Sequence, residues 1–89
     1  MVQKTVKIVN KLGLHARPAA MLVTAATRYE SEVHFIKAGL RVNGKSIMGV
    51  MMLAAEMGSD VTIEVSGPDE GAALEDIERV IASGFGEAM

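Results

Sequence analysis

Between Asn10 and Ala20 the chain switches periodicity, and that switch decides where the remaining elements can lie. On its N-terminal side, Thr5-Val6-Lys7-Ile8-Val9 alternates as a strand does, with Val6 and Ile8 on a half-buried face. Lys4 falls on that same face, which places the start of the strand at a rim. On the C-terminal side, Ala19 to Arg28 reads as a helix, with Leu22, Val23, Ala26 and Tyr29 at helical spacing. A helix therefore opens near His15. Pro18 falls in its first turn, where the missing N–H costs little and φ is already set.

A helix start has a chemistry of its own. The amides of Ala16 and Arg17 have no partner inside the helix, so they face outward at the positive end of its dipole. Such an end binds anions, phosphate in particular. His15 stands at its mouth as a neutral imidazole nucleophile. Arg17 follows two residues on, and its guanidinium can hold a phosphoryl group through parallel hydrogen bonds that a lysine cannot reproduce. An arbitrary His-x-Arg is usually a plain helix start with a solvated arginine. Here the Gly13 turn, Pro18 and the small residues Ala16, Ala19 and Ala20 all favour close approach to the helix end. The candidate site is thus His15 and Arg17, with the backbone of Ala16 and Arg17 as a phosphate cradle.

Asn10-Lys11-Leu12-Gly13-Leu14-His15-Ala16-Arg17-Pro18-Ala19 resembles the active-site signature of the HPr family, the histidine-containing phosphocarriers of the bacterial phosphotransferase system. A second stretch, Val42-Asn43-Gly44-Lys45-Ser46-Ile47-Met48-Gly49-Val50-Met51, resembles that family's regulatory-serine segment. The resemblance implies that His15 takes a phosphoryl group from phospho-enzyme I, itself charged by phosphoenolpyruvate, and passes it to a histidine of a IIA-type protein. It implies Nδ1 as the nucleophile and Arg17 as the stabiliser. It implies Ser46 as the target of an ATP-dependent HPr kinase/phosphorylase. No cofactor or metal is needed on such a carrier.

The rest of the chain reads in short units. Glu32 to Lys37 is a strand with Val33 and Phe35 inward and His34 outward with Glu32. His34 has no helix terminus, arginine or turn glycine beside it in sequence, so it reads as a surface histidine. Ala38-Gly39 turns the chain, Leu40-Arg41-Val42 returns as a third strand, and Asn43-Gly44 breaks it. Ser46 caps a second helix running from Ile47 to about Ala55. After Gly58-Ser59-Asp60, the residues Val61, Ile63 and Val65 alternate in the clearest strand. Ser66 to Glu70 turns into a last helix with Leu74, Ile77 and Ile81 as its inner stripe, supported by Ala73 and Val80. Gly84 is its stop, and Phe85 to Met89 is expected to fray. The order β-α-β-β-α-β-α predicts an α+β, two-layer, open-faced β-sandwich, its four-stranded mainly antiparallel sheet covered on one face by three helices. The family resemblance implies sheet order 1-4-2-3.

Gly39-Leu40-Arg41-Val42-Asn43-Gly44-Lys45-Ser46 also fits G-x-x-x-x-G-K-[ST]. A phosphate loop needs its four middle residues curled into a nest of amides, whereas Leu40-Arg41-Val42 is apolar enough to pair as a strand. We reject ATP binding there.

Composition bounds what is left. Eighty-nine residues make one domain, 1–89, and the absence of cysteine excludes disulfides, thiolate metal sites and a cysteine nucleophile. With two histidines only, no metal site is expected. A net charge of −2 and only three aromatics, Tyr29, Phe35 and Phe85, argue against nucleic-acid binding. The chain opens on no charged-then-apolar leader and holds no membrane-length apolar run, so a cytoplasmic protein without membrane insertion is expected, and a monomer suffices.

The second helix is apolar nearly all round. Val50 and Leu53, with part of Ile47, are expected in the core, which leaves Met48 and Met51, with Met52 open between core and surface. Methionine suits a face that meets several partners, because its side chain repacks cheaply. Ile47, Met48, Met51 and Met52 form the candidate partner surface. Two other functions fit parts of the pattern. One is a non-catalytic regulatory module acting through Met48 and Met51. The other, a small hydrolase of acylphosphatase type, lacks the arginine in a glycine-rich loop and the water-positioning asparagine it would need.

Overall fold

The computed structural model of the chain describes residues 1–87. Strand β1 (Val2–Lys7) leads into helix α1 (Ala16–Thr27), the hairpin β2 (Glu32–Lys37) and β3 (Leu40–Asn43), the short helix α2 (Ile47–Met52), strand β4 (Asp60–Ser66), helix α3 (Glu70–Ala82) and a single 3-10 turn at Gly84–Gly86. The sheet order is β1-β4-β2-β3 with every neighbouring pair antiparallel, in agreement with the expected 1-4-2-3.

Alternation along the strands builds the two layers. Val61, Ile63 and Val65 of β4 share a buried face with Val33 and Phe35 of β2, in register as Val33↔Val65 and Phe35↔Ile63. Against that face pack Ala19, Leu22 and Ala26 of α1 and Ala73, Ile77 and Ile81 of α3. The small alanines let the helices lie close, and each large side chain buried here contributes about 1.5–3 kcal/mol. Strand β1 sits earlier than the alternation suggests. It ends at Lys7, and Ile8 is buried just beyond the ladder, held by bonds to Ser59 O and from the Gly58 amide. Lys4 does lie at a rim, where its ammonium pairs with Glu78 of α3.

The β2–β3 turn places Ala38 at φ 49° and Gly39 at φ 84°. Two positive φ values in a row match the twist of a tight hairpin. Residues 40–43 therefore pair with β2, and the G-x-x-x-x-G-K-S match is a returning strand rather than a phosphate loop. His34 does acquire an arginine neighbour, Arg41, through this hairpin: Nη2 donates to His34 Nδ1 at 3.3 Å, while Nε is 3.1 Å from Glu64 Oε1.

Helix α2 stops at Met52, three residues short of the expected Ala55. Ala54 takes φ 49°, which ends it without a glycine, and the Lys37 ammonium collects the freed carbonyls of Leu53 and Ala54 at 3.2 and 3.3 Å. The expectation of a frayed tail fails for residues 85–87. Gly84, Phe85 and Gly86 take φ 70°, 60° and 72°, a left-handed turn that swings Phe85 into the core at 1% exposure. Burial of the aromatic ring outweighs the strain of its backbone. Ala88 and Met89 lie outside the described residues. Among the described residues, no helix is long and apolar enough to cross a membrane.

Candidate active site

The loop from β1 to α1 is shaped by one glycine. Gly13 takes φ 68°, and a Cβ there would lie 2.4 Å from the carbonyl oxygen of Ala55. That carbonyl accepts the Leu14 amide at 2.8 Å, which ties the loop to the segment leaving α2. Buried Leu14 anchors the other side. His15 emerges as the N-cap of α1, its carbonyl accepting the Ala19 amide at 3.0 Å. Pro18 has no N–H, and among the described residues the Ala16 and Arg17 amides donate to no backbone group. The outward-facing donors expected at the helix start are therefore present.

The His15 side chain is 38% exposed. Arg17 is exposed and lines an open cleft with Lys11, Leu12 and Glu87. Glu87 is the residue the sequence reading missed. Its Oε2 lies 2.7 Å from His15 Nε2, and its Oε1 accepts from Asn10 Nδ2 at 2.9 Å. Asn10 is fully buried and donates its other amide proton to Gly13 O at 2.8 Å. Two oxygen acceptors fix the orientation of that amide. They also leave Asn10 Oδ1 buried without a partner among the described residues. The Asn10 hydrogen bond holds the Glu87 carboxyl below its ordinary range; burial opposes this, and the hydrogen bond and charge of His15, then the charge of Arg17, reinforce it. A carboxylate only accepts, so the proton between the two side chains belongs to Nε2 of His15.

Asn10 and Glu87 stand 77 positions apart, beyond any local pattern. The available signal was Phe85 between two glycines: a large aromatic with freely turning neighbours can fold back into a core.

Ser46 caps α2 through its Oγ, which accepts the Gly49 amide at 3.0 Å. Lys45 beside it reaches back to Tyr29 O at 2.8 Å, pinning the cap to the end of α1. Of the apolar face that follows, Val50 and Leu53 are buried, while Ile47, Met48, Met51 and Met52 are exposed by 45%, 72%, 39% and 66%. Met52 thus belongs to the surface. Among the described residues, no three His, Asp or Glu side chains converge as a metal set would require.

The chain is similar to known proteins along nearly its whole length. The family model for the PTS HPr component phosphorylation site matches residues 2–83. The phosphocarrier protein HPr of Treponema pallidum is 52% identical over 87 residues, covering 98% of this chain and 99% of its own. The crystal structure of HPr-C-His from Thermoanaerobacter tengcongensis superposes with TM-score 0.96 at 42% identity over the full length of both chains. Crh, a Bacillus subtilis catabolite repression protein crystallised as a dimer with a swapped domain, superposes with TM-score 0.76 at 45% identity over 94% of this chain and 97% of that one. With a histidine at a helix N-terminus, the sheet order and the near-full-length matches in agreement, this chain belongs to the HPr family, the phosphocarriers of the phosphotransferase system.

Proposed function

We propose that His15 accepts a phosphoryl group from phospho-enzyme I and passes it to a histidine of a IIA-type protein. The observation that carries this reading is the half-exposed imidazole at the N-terminus of α1, beside two unused amides and with Arg17 close behind. With Nε2 engaged by Glu87, the free lone pair is on Nδ1, which becomes the phosphoryl acceptor. Arg17 and the amides of Ala16 and Arg17 stabilise the phosphoryl oxygens electrostatically, so the carrier itself needs neither metal nor nucleotide. Partners dock on Ile47, Met48, Met51 and Met52.

Ser46 is the regulatory site of an HPr kinase/phosphorylase. A phosphate there sits at a helix N-terminus, where negative charge is tolerated, and at the edge of the methionine face, where it repels an acidic partner. The described residues of one chain bring Asn10, His15 and Glu87 together, which supports a single-domain monomer as the working unit; we place it in the cytoplasm, where phosphoenolpyruvate and ATP are available. A second reading draws on the likeness to Crh, a catabolite repression protein: the same methionine face serves a regulatory partner without phosphoryl transfer.

Intact mass after incubation with phosphoenolpyruvate and catalytic enzyme I separates the two. The carrier reading expects an acid-labile gain of one phosphate that His15→Ala abolishes. No gain, with enzyme I shown active on another carrier, leaves the regulatory reading. Incubation with ATP and the kinase should phosphorylate wild type but not Ser46→Ala.

A further inference from the structure

We propose that Met48, Met51 and Met52 form a reversible oxidation site, where a hydroperoxide turns the thioethers into sulfoxides and so switches off docking without unfolding the carrier. The proposal rests on reading the α2 face as the docking surface, and adds a regulation of that surface that needs no kinase.

Where the methionines stand is the first argument. The sequence holds seven of them and no cysteine, so thioethers are its only sulfur. Among the described residues Met1, Met21, Met48, Met51, Met52 and Met57 are all exposed. The core is built instead of valine, isoleucine, leucine, alanine and phenylalanine. Methionine is among the residues most often buried, and its absence from this core has a consequence: oxidant meets no methionine on which the packing depends. Met48, Met51 and Met52 stand at i, i+3 and i+4, on one side of α2. Val50 and Leu53, both buried, hold the helix down from the other side.

The chemistry needs only the oxidant. A sulfur lone pair attacks one oxygen of hydrogen peroxide, and the S–O bond forms as the O–O bond breaks. The O–O electron pair leaves with the second oxygen, which takes the proton of the first and departs as water. The sulfur is oxidised by two electrons and the peroxide reduced by two. A sulfoxide reductase reverses the change, with the oxygen leaving as water while a dithiol becomes a disulfide. The sulfoxide is polar where the thioether was apolar and adaptable. Its oxygen loses water on docking and gains nothing unless the partner offers a donor. No charge is added, and the Ser46 cap is left as it was. The modification therefore acts on the face and not on the helix beneath it.

The test treats the whole chain with hydrogen peroxide, maps sulfoxides by peptide mass, and measures KM for phospho-enzyme I and Tm before and after. Met48 and Met52, exposed by 72% and 66%, should take oxygen ahead of Met51 at 39%, because a sulfur must be reached to react. With all three oxidised, KM should rise at least about tenfold as apolar anchors are lost, while kcat and Tm stay near their starting values. Sulfoxide reductases with a dithiol should bring KM back. In the triple variant Met48→Leu, Met51→Leu, Met52→Leu, whatever its own KM, peroxide should leave that value unchanged although Met21 and Met57 still oxidise. A peroxide effect that survives in the leucine variant would overturn the assignment to α2. A drop in Tm that tracks the rise in KM would overturn it as well, because the loss would then be unfolding. If three sulfoxides leave KM unchanged while serine at Met48 and Met51 raises it, the oxidation proposal fails and the docking surface stands. If neither raises it, both fall. A chain that accepts no phosphate overturns the relay, and this proposal with it.

Discussion

Gly13 has two independent reasons to be glycine: its φ of 68°, and the 2.4 Å that would separate a Cβ from Ala55 O. Alanine can satisfy neither without moving the loop that ends in His15. Gly13→Ala should cost about 1–3 kcal/mol and lower Tm by roughly 4–8 °C for each kcal/mol, with phosphoryl acceptance slowed more than the melt alone explains; thermal unfolding and single-turnover phosphorylation check both. Asp69 makes a different kind of prediction. Its carboxylate accepts from Ser31 Oγ and from the amides of Glu30 and Ser31, and the Ser31 hydroxyl is the main reason its pKa falls below the ordinary 3.8, with the Glu30 amide next and burial opposing. A depressed folded pKa means stability that is complete above the ordinary value and lost as pH drops through the folded one. In Asp69→Asn, Tm measured against pH should fall less steeply below about pH 4 than in wild type. Neither Ser31 nor Asp69 announced this contact, because the partners sit on opposite sides of the α1–β2 turn and the start of α3, 38 positions apart. The structural setting of His15, Arg17 and Ser46 was legible because it is local: a turn glycine, a proline in the first helical turn, a cap. That of Asn10 and Glu87 was not, because only the closed fold brings them together.

Helix α2 is too short to stand alone, since six residues barely exceed a helix nucleus. Its persistence comes from its two ends and from Val50 and Leu53 beneath it. Ser46 satisfies the Gly49 amide, and Lys37 satisfies the carbonyls that the turn at Ala54 releases. Ser46→Ala should therefore lower stability by about 1 kcal/mol, whereas Ser46→Asp keeps a capping oxygen and should melt close to wild type; a matched pair of thermal scans decides. If Asp melts as early as Ala, the cap is not what Ser46 contributes. The alternating strands and the amphipathic stripe of α3 could be read almost residue by residue, because a period of two or of 3.6 is written into the side chains. The end of α2 could not, because Ala54 carries no stop signal in sequence, and the Lys37 ammonium that meets the carbonyls of Leu53 and Ala54 comes from a distant strand.

At the scale of the molecule, a backbone bond from the Leu14 amide to Ala55 O ties the loop that carries His15 to the exit of α2 and its methionine face. Leu14, the residue before His15, and the exit of α2 cannot move apart without breaking it. Under the proposed relay, a partner seated on α2 would present its own histidine to a ring whose position is already set, so that docking and chemistry would share one frame. The arrangement separates affinity from stability, and that separation can be measured. Met48 and Met51 are exposed while their neighbours Val50 and Leu53 hold the core, so replacing both methionines by serine should leave the melt within about 1 kcal/mol of wild type. The same double variant removes two apolar anchors from the proposed interface, at about 1 kcal/mol or more apiece where they lie at its centre, and should raise KM for phospho-enzyme I by at least about tenfold. Its kcat should change little, because His15, Arg17 and Glu87 are untouched. An unchanged KM would move the docking surface elsewhere on the molecule, with the groove between Arg17, Met21 and Arg28 on α1 as the next place to substitute.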